Sequence, residues 1–180
     1  MTILRALRQA VYGWIMLLRG EAGWQQRFRL GPAGLSTALV LFYLCAFLAI
    51  VLASLELGVP TLRGVLDIML VHTLWLLALA AGVFGIRRVL RDRGPALGVL
   101  VPGVYALIFY LILGTLISLT LGPLLPLIWL GLAFLLYRLG RAAGGWGPGA
   151  SAAFALLTLM LLVGLPLTLY MLTAPALPAA

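Results

Sequence analysis

Long runs of apolar residues, separated by short polar stretches, form the main pattern of this chain. Five such runs cover residues 35–55, 65–86, 97–121, 124–139 and 151–172. A helix rises about 1.5 Å per residue, so the 21 residues of the first run reach about 31 Å, close to the hydrocarbon thickness of a bilayer. The pattern predicts an all-α fold, a polytopic membrane bundle of five transmembrane helices.

The fourth run is the shortest of the five. Its uninterrupted part, residues 124–137, has 14 residues and would reach about 21 Å as a helix. It can cross if the helix extends to Leu139 while Arg138 and Arg141 snorkel to the surface, or if the bilayer thins locally. The alternative is a re-entrant hairpin with the third run. The glycine-rich segment that follows, 140–149, is predicted to be a flexible linker.

The first thirty residues show a different pattern. Apolar residues recur every three or four positions there, and arginines fall largely on the opposite side. This is typical of an amphipathic helix in the headgroup plane, so we expect an interfacial arm, 1–30, followed by the transmembrane bundle, 31–180. A signal peptide is the competing interpretation. Its apolar core is interrupted by Tyr12 and Gly13, and no small-residue cleavage site follows, so we expect the arm to be retained.

Composition supports the membrane interpretation. The chain is 64% hydrophobic and only 9% charged, whereas soluble domains are about a quarter charged. The net charge of +8 comes from twelve arginines, and it could suggest nucleic acid as a partner. Because these arginines lie at the ends of apolar runs rather than on a soluble surface, we expect lipid and no nucleic acid.

The arginines lie almost entirely on one predicted side. Segments 1–30, 87–93 and 138–141 carry eleven of the twelve, and Arg63 is the exception. The positive side faces the cytoplasm, which predicts a multi-pass protein of a bacterial inner membrane with a cytoplasmic N-terminus and a periplasmic C-terminus. We expect contacts with anionic lipid headgroups from Arg5, Arg8, Arg19, Arg87, Arg88, Arg91 and Arg93.

Ionisable groups in the second run form the candidate intramembrane polar site, which consists of His72, Asp67 and Arg63. Asp67 and His72 are about 140° apart around a helix and do not share a face. Arg63 precedes Asp67 by four residues, which predicts an ion pair near the outer boundary. His72 is predicted to be a neutral imidazole bonded to another helix, with a proton or ligand role as the alternative.

Small residues spaced four apart permit close approach of helices in a membrane. The chain has three such pairs, at Ala78 and Gly82, Ala81 and Gly85, and Gly114 and Ser118. They indicate helix packing without identifying the partner helix.

No catalytic or cofactor motif is present in the sequence, and a single histidine and a single cysteine supply no metal-ligand set. We therefore expect no cofactor and no enzyme. The favoured interpretation is an accessory or structural subunit, or a membrane-organising protein, that packs against other integral membrane proteins or itself. The alternative is a small transporter or proton-linked channel that uses His72 and Asp67.

Two short motifs resemble a known family. The stretch Leu18-Arg19-Gly20-Glu21-Ala22-Gly23 is followed by Phe28 and Gly34, and the twin arginine Arg87-Arg88 closes the second run. With an amphipathic arm and five spans, the chain is similar to small bacterial Yip1-like membrane proteins. The resemblance implies a membrane-organising or accessory role and no catalytic residues.

Overall fold

The computed structural model describes residues 3–120 and 125–173, and all regular structure within them is helical. This confirms the all-α prediction. Three parts of the predicted elements lie outside the described residues. They are residue 121, the start of the fourth run at 124, and segment 174–180 with the predicted periplasmic C-terminus. The helices are α1 (Ile3–Arg19), a short 3-10 helix (Trp24–Arg27), α2 (Pro32–Leu57), α3 (Leu62–Leu90), α4 (Leu97–Thr120), α5 (Leu125–Ala142) and α6 (Pro148–Thr173).

Helix α4 is the centre of the bundle. It packs against α2, α3 and α5, while α6 covers α3 and α5. In its most apolar stretch 61% of residues are buried, against 22–28% in α2, α3 and α6. The outer helices therefore expose apolar faces that water would not tolerate and that lipid or another membrane protein would cover. Residues at the centre of the α4 core include Val101, Ala106, Leu107 and Ile108.

Four helices in the described part of the chain, rather than the predicted five, are long and apolar enough to cross a membrane. The predicted run 124–139 corresponds to α5, which is a helix but is not one of the four. Its 18 residues reach about 27 Å, and two arginines occupy its last turns, so its apolar part is short. The four are Pro32–Leu55, Leu62–Leu90, Leu97–Ser118 and Pro148–Leu172.

One end of the bundle gathers the arginine-bearing segments, and we name it the arginine end. Arg138, near the end of α5, donates from Nη2 to the carbonyl oxygens of Leu18 (2.7 Å) and Leu17 (3.3 Å) at the end of α1. Trp146 donates from Nε1 to Oδ2 of Asp92 (3.1 Å) in the α3–α4 loop. Helix α4 therefore starts at the arginine end, and α5 returns to it.

Helix α1 has the amphipathic pattern that the sequence predicts, but its apolar face packs on protein. Ala10, Trp14 and Leu17 are almost fully buried, whereas Val11 and Tyr12 are exposed. Trp14 donates from Nε1 to the carbonyl oxygen of Pro102 in α4 (3.2 Å). The arm is thus docked on the arginine end, and only part of its apolar surface is left for lipid.

The glycine-rich segment 140–149 is a packed turn, which corrects the prediction of a flexible linker. Trp146 is 4% exposed and meets Phe154 edge-on, with ring centroids 5.3 Å apart. The carbonyl oxygen of Trp146 accepts hydrogen bonds from Arg141 (3.0 Å) and Ser151 (3.3 Å). The glycines of this segment have no side chains to bury, so the large buried side chain of Trp146 provides its packing.

The predicted pair Ala78 and Gly82 lies at the contact between α3 and α6. Both residues are buried, and a Cβ added at Gly82 would overlap Oγ1 of Thr158. A Cβ at Gly85 would meet Leu157 at an ordinary 3.6 Å, and Ala81 is exposed. Of these two small-residue pairs, Ala78 and Gly82 form the close contact.

Candidate functional site

The structure does not bring the three predicted polar residues together. Arg63 and Asp67 are exposed on the first turns of α3, whereas His72 is 8% exposed. In the described ranges, the ion pairs are Arg19–Glu21 and Arg87–Asp92, so the predicted pair between Arg63 and Asp67 is not formed. An exposed pair spaced four residues apart on a helix is worth only about 0.3–0.5 kcal/mol, too little to hold the long, flexible side chain of Arg63 in one geometry.

Among the residues that the structure describes, the hydrogen bond of His72 is to its own helix rather than to a neighbouring one, which corrects the prediction. Its Nδ1 lies 2.8 Å from the carbonyl oxygen of Ile68, and a carbonyl can only accept. Nδ1 therefore carries a proton, and in the neutral ring Nε2 is a hydrogen-bond acceptor. The ring lies 4.9 Å from Trp75 and 6.2 Å from Phe42 of α2, measured between centroids.

A cavity of about 400 Å³ lies between α2, α3 and α4 and includes His72 in its lining, but neither Asp67 nor Arg63. Its lining begins at Gly58 and Pro60, between α2 and α3, at the end of the bundle opposite the arginine end. His72 lies ten residues past Leu62, about 15 Å along α3. We name this space the outer cavity. Its polar lining groups are Ser54, His72, Trp75, Tyr110, Thr115 and Ser118.

A row of aromatic rings passes His72 and crosses four helices. From His72 it continues to Trp75, then to Tyr110 of α4 (5.4 Å) and Trp129 of α5 (5.1 Å). Each such pair contributes about 0.5–1.5 kcal/mol beyond burial, so the row stiffens the inner boundary of the outer cavity. Sequence reasoning missed Tyr110 and Trp129. Their available signal was only that they are aromatic residues inside apolar runs.

The outer cavity has little capacity for chemistry. The hydroxyls of Ser54 and Thr115 donate to carbonyls of their own helices, at Val51 (2.7 Å) and Leu111 (2.8 Å). His72 is the one titratable nitrogen in its described lining, and no acidic side chain faces it there. The arrangement suits an apolar occupant with one hydrogen-bond donor, and it contains no acid–base pair.

At the arginine end, Arg87 holds the α3–α4 loop. Its guanidinium donates to the carbonyl oxygens of Asp92 and Gly94 and lies 3.9 Å from the carboxylate of Asp92. Hydrogen bonds from the amide of Gly94 and the indole of Trp146, with the charge of Arg87, hold the pKa of Asp92 below its usual value. The other arginines predicted to contact headgroups are exposed, namely Arg5, Arg8, Arg19, Arg88, Arg91 and Arg93.

No potential metal site occurs in residues 3–120 and 125–173, where no three His, Cys, Asp or Glu side chains gather. Comparison with family models, with curated proteins and with solved structures found no match to the chain. The resemblance to Yip1-like proteins stays a prediction. What the fold defines is a class: a helical protein with several helices suited to crossing a membrane.

Proposed function

We propose that this protein is an accessory component of a bacterial inner membrane and packs against another integral membrane protein or a second copy of itself. The observation that carries the proposal is an unfilled contact surface on α4. Gly114 and Ser118, the third small-residue pair, line the outer cavity instead of meeting a helix. No described atom lies within 4 Å of a Cβ built on Gly114. A helix from a partner would find close access there.

The proposal includes five crossings, with the N-terminus in the cytoplasm. In its favour, α5 returns to the arginine end, where α4 starts, and so runs antiparallel to α4 along most of the thickness of the bundle. Its 18 residues reach about 27 Å, within a few ångströms of a typical hydrocarbon core. A full crossing by α5 would leave eleven of the twelve arginines on the cytoplasmic side.

Replacing Gly114 by leucine tests the accessory role. A Cβ at this position meets no described atom within 4 Å and the cavity lies beside it, so the Gly114→Leu variant should fold but block a partner helix. We expect membrane proteins that co-purify with the native chain in mild detergent to be lost, or a homo-oligomer to dissociate, in size-exclusion chromatography with mass detection.

Gly131→Leu is the matched control. It makes the same substitution at an exposed glycine of α5 that also has no described atom within 4 Å. Co-purification should persist in this variant. A native chain that migrates as a lone monomer would refute the accessory role. Equal loss of partners in both variants would refute the surface at Gly114 as the place of contact.

A small transporter or channel is the second candidate, and the outer cavity favours it. The cavity extends from Gly58 and Pro60 to His72, about a third of the way along α3. Asp67 is not part of the lining of this cavity. A transporter or channel that used the cavity would therefore depend on His72 and not on Asp67. In proteoliposomes, proton or solute flux should vanish in His72→Ala and persist in Asp67→Asn. Equal flux in His72→Ala and the native protein would exclude this candidate.

A further inference from the structure

A second, smaller cavity lies at the arginine end, under the connector between α1 and α2. Its volume is about 170 Å³, more than ten times the roughly 10–15 Å³ that one water needs. We name it the inner cavity. It is lined by Ala6, Gln9 and Ala10 of α1, by Arg27, Phe28 and Arg29 of the connector, by Gly34 and Thr37 of α2, and by Val101 and Tyr105 of α4.

The charge of the inner cavity is positive and uncompensated. Arg27 and Arg29 line it, and neither takes part in an ion pair among the residues that the structure describes. Its lining includes no acidic side chain. Arg27 and Arg29 are exposed residues that border the cavity. Two arginines beside a space with no acidic lining attract an anion, and the planar donors of their guanidinium groups match the oxygens of a phosphate.

Neutral donors complete the lining. Tyr105 is 5% exposed, and no hydrogen bond of its hydroxyl is found within the described ranges. Gln9 adds an amide, and Gly34 in the first turn of α2 has a backbone N–H without an acceptor in its own helix. Gly34 allows this arrangement, because a Cβ there would overlap the carbonyl oxygen of Arg29 and push the connector away from α2.

We propose that the inner cavity binds a phosphate group, with Arg27 and Arg29 on its charge and Tyr105 and Gln9 on its remaining oxygens. The phosphate belongs to a phospholipid or is a free ion. The lining favours a lipid, because Ala6, Ala10 and Val101 provide apolar surface beside the polar groups. This inference needs a bilayer but does not depend on the accessory role, and either can fail without the other.

Ligand binding by the purified full-length chain tests the site. Short-chain phosphatidylglycerol and inorganic phosphate are titrated separately and followed by native mass spectrometry of the bound species or by tryptophan fluorescence. The titrations use about 0.5 M salt, where surface attraction extends only about 4 Å. The variants are Arg27→Gln with Arg29→Gln, and as control Arg5→Gln with Arg8→Gln, which removes two exposed arginines of α1.

We expect phosphatidylglycerol to bind the native chain and the control alike, and the cavity variant about tenfold more weakly or worse. Tyr105→Phe, which keeps the ring, should weaken binding several-fold without changing the melting temperature. Inorganic phosphate binding with the same dependence on Arg27 and Arg29 would support the site and identify the free ion as its ligand. Equal weakening in both double variants, or no binding of either probe to the native chain, would overturn the proposal.

Discussion

Alanine at Gly82 should destabilise the bundle by about 1–3 kcal/mol, because it adds a methyl group where helices α3 and α6 already touch. A Cβ there overlaps Oγ1 of Thr158, a fully buried oxygen for which the described residues supply no hydrogen-bond partner. Either the helices separate or Thr158 turns within a packed contact. Unfolding in bicelles measures the cost, and for a chain of this size each kcal/mol lowers the melting temperature by about 2–4 °C.

Two further variants isolate the cause. Gly85→Ala makes the same substitution one turn later, where the new methyl group meets Leu157 at 3.6 Å, and it should cost little. Thr158→Ala removes the overlapping oxygen and should restore most of the stability lost in Gly82→Ala. The double variant would then show a coupling energy of the same size as the loss. Equal destabilisation by Gly82→Ala and Gly85→Ala, or no rescue by Thr158→Ala, would contradict the close-contact account.

Gly82 and Gly114 show how much of the helix packing could be predicted from the sequence. Both belong to small-residue pairs of the same form, and the sequence predicts helix packing for each. In the structure, Thr158 fills the space beside Gly82, while the space beside Gly114 is part of the outer cavity. The filling side chain lies in another helix, 76 positions away along the chain. The pattern therefore predicts where helices can approach, but not which neighbour does so.

Helix bounds were predictable to within a few residues because hydrophobicity reports lipid contact. The second run was predicted over 65–86, whereas α3 covers Leu62–Leu90. The helix continues at both ends beyond the apolar run and includes polar residues such as Arg63 and Arg88. By contrast, the central position of α4 could not be predicted. The helices α2, α4 and α6 are apolar on every side. Their sequences therefore do not indicate which face of each helix is buried.

The candidate site was predictable only in part, at His72. An ionisable residue inside an apolar run is a sound signal, and this one does line a cavity. Its aromatic neighbours Tyr110 and Trp129 come from α4 and α5, so their contact depends on how the helices are arranged. The inner cavity was missed for a related reason. Arg27 and Arg29 were interpreted as charges beside a span, and only folding brings them into the lining of one cavity with Tyr105.

Snorkelling of Arg138 is one way in which the sequence allows the fourth run to cross, and in the structure Arg138 binds α1. Its replacement should release that helix. Its guanidinium donates to the carbonyl oxygens of Leu17 and Leu18 in the last turn of α1, where the carbonyl of Leu17 also accepts from the amide of Gly20 (3.2 Å). A hydrogen bond from a charged donor contributes about 1.5–3 kcal/mol, and a cation at this helix end adds about 0.3–1 kcal/mol. Arg138→Met keeps the apolar stem but should weaken α1 docking by about 2 kcal/mol.

The accessibility of position 10 measures this docking. Ala10 lies on the buried face of α1 and is 1% exposed while the helix is docked. In a chain carrying Ala10→Cys and Cys45→Ala, a thiol reagent should label position 10 about 30-fold faster after Arg138→Met, the factor that corresponds to 2 kcal/mol. Arg19→Met is the control at the same end of α1. Arg19 forms an exposed ion pair with Glu21 at 3.6 Å, a type of contact worth about 0–1 kcal/mol. Similar labelling rates in Arg138→Met and Arg19→Met would show that α1 is held by its buried Trp14 and Leu17 rather than by Arg138.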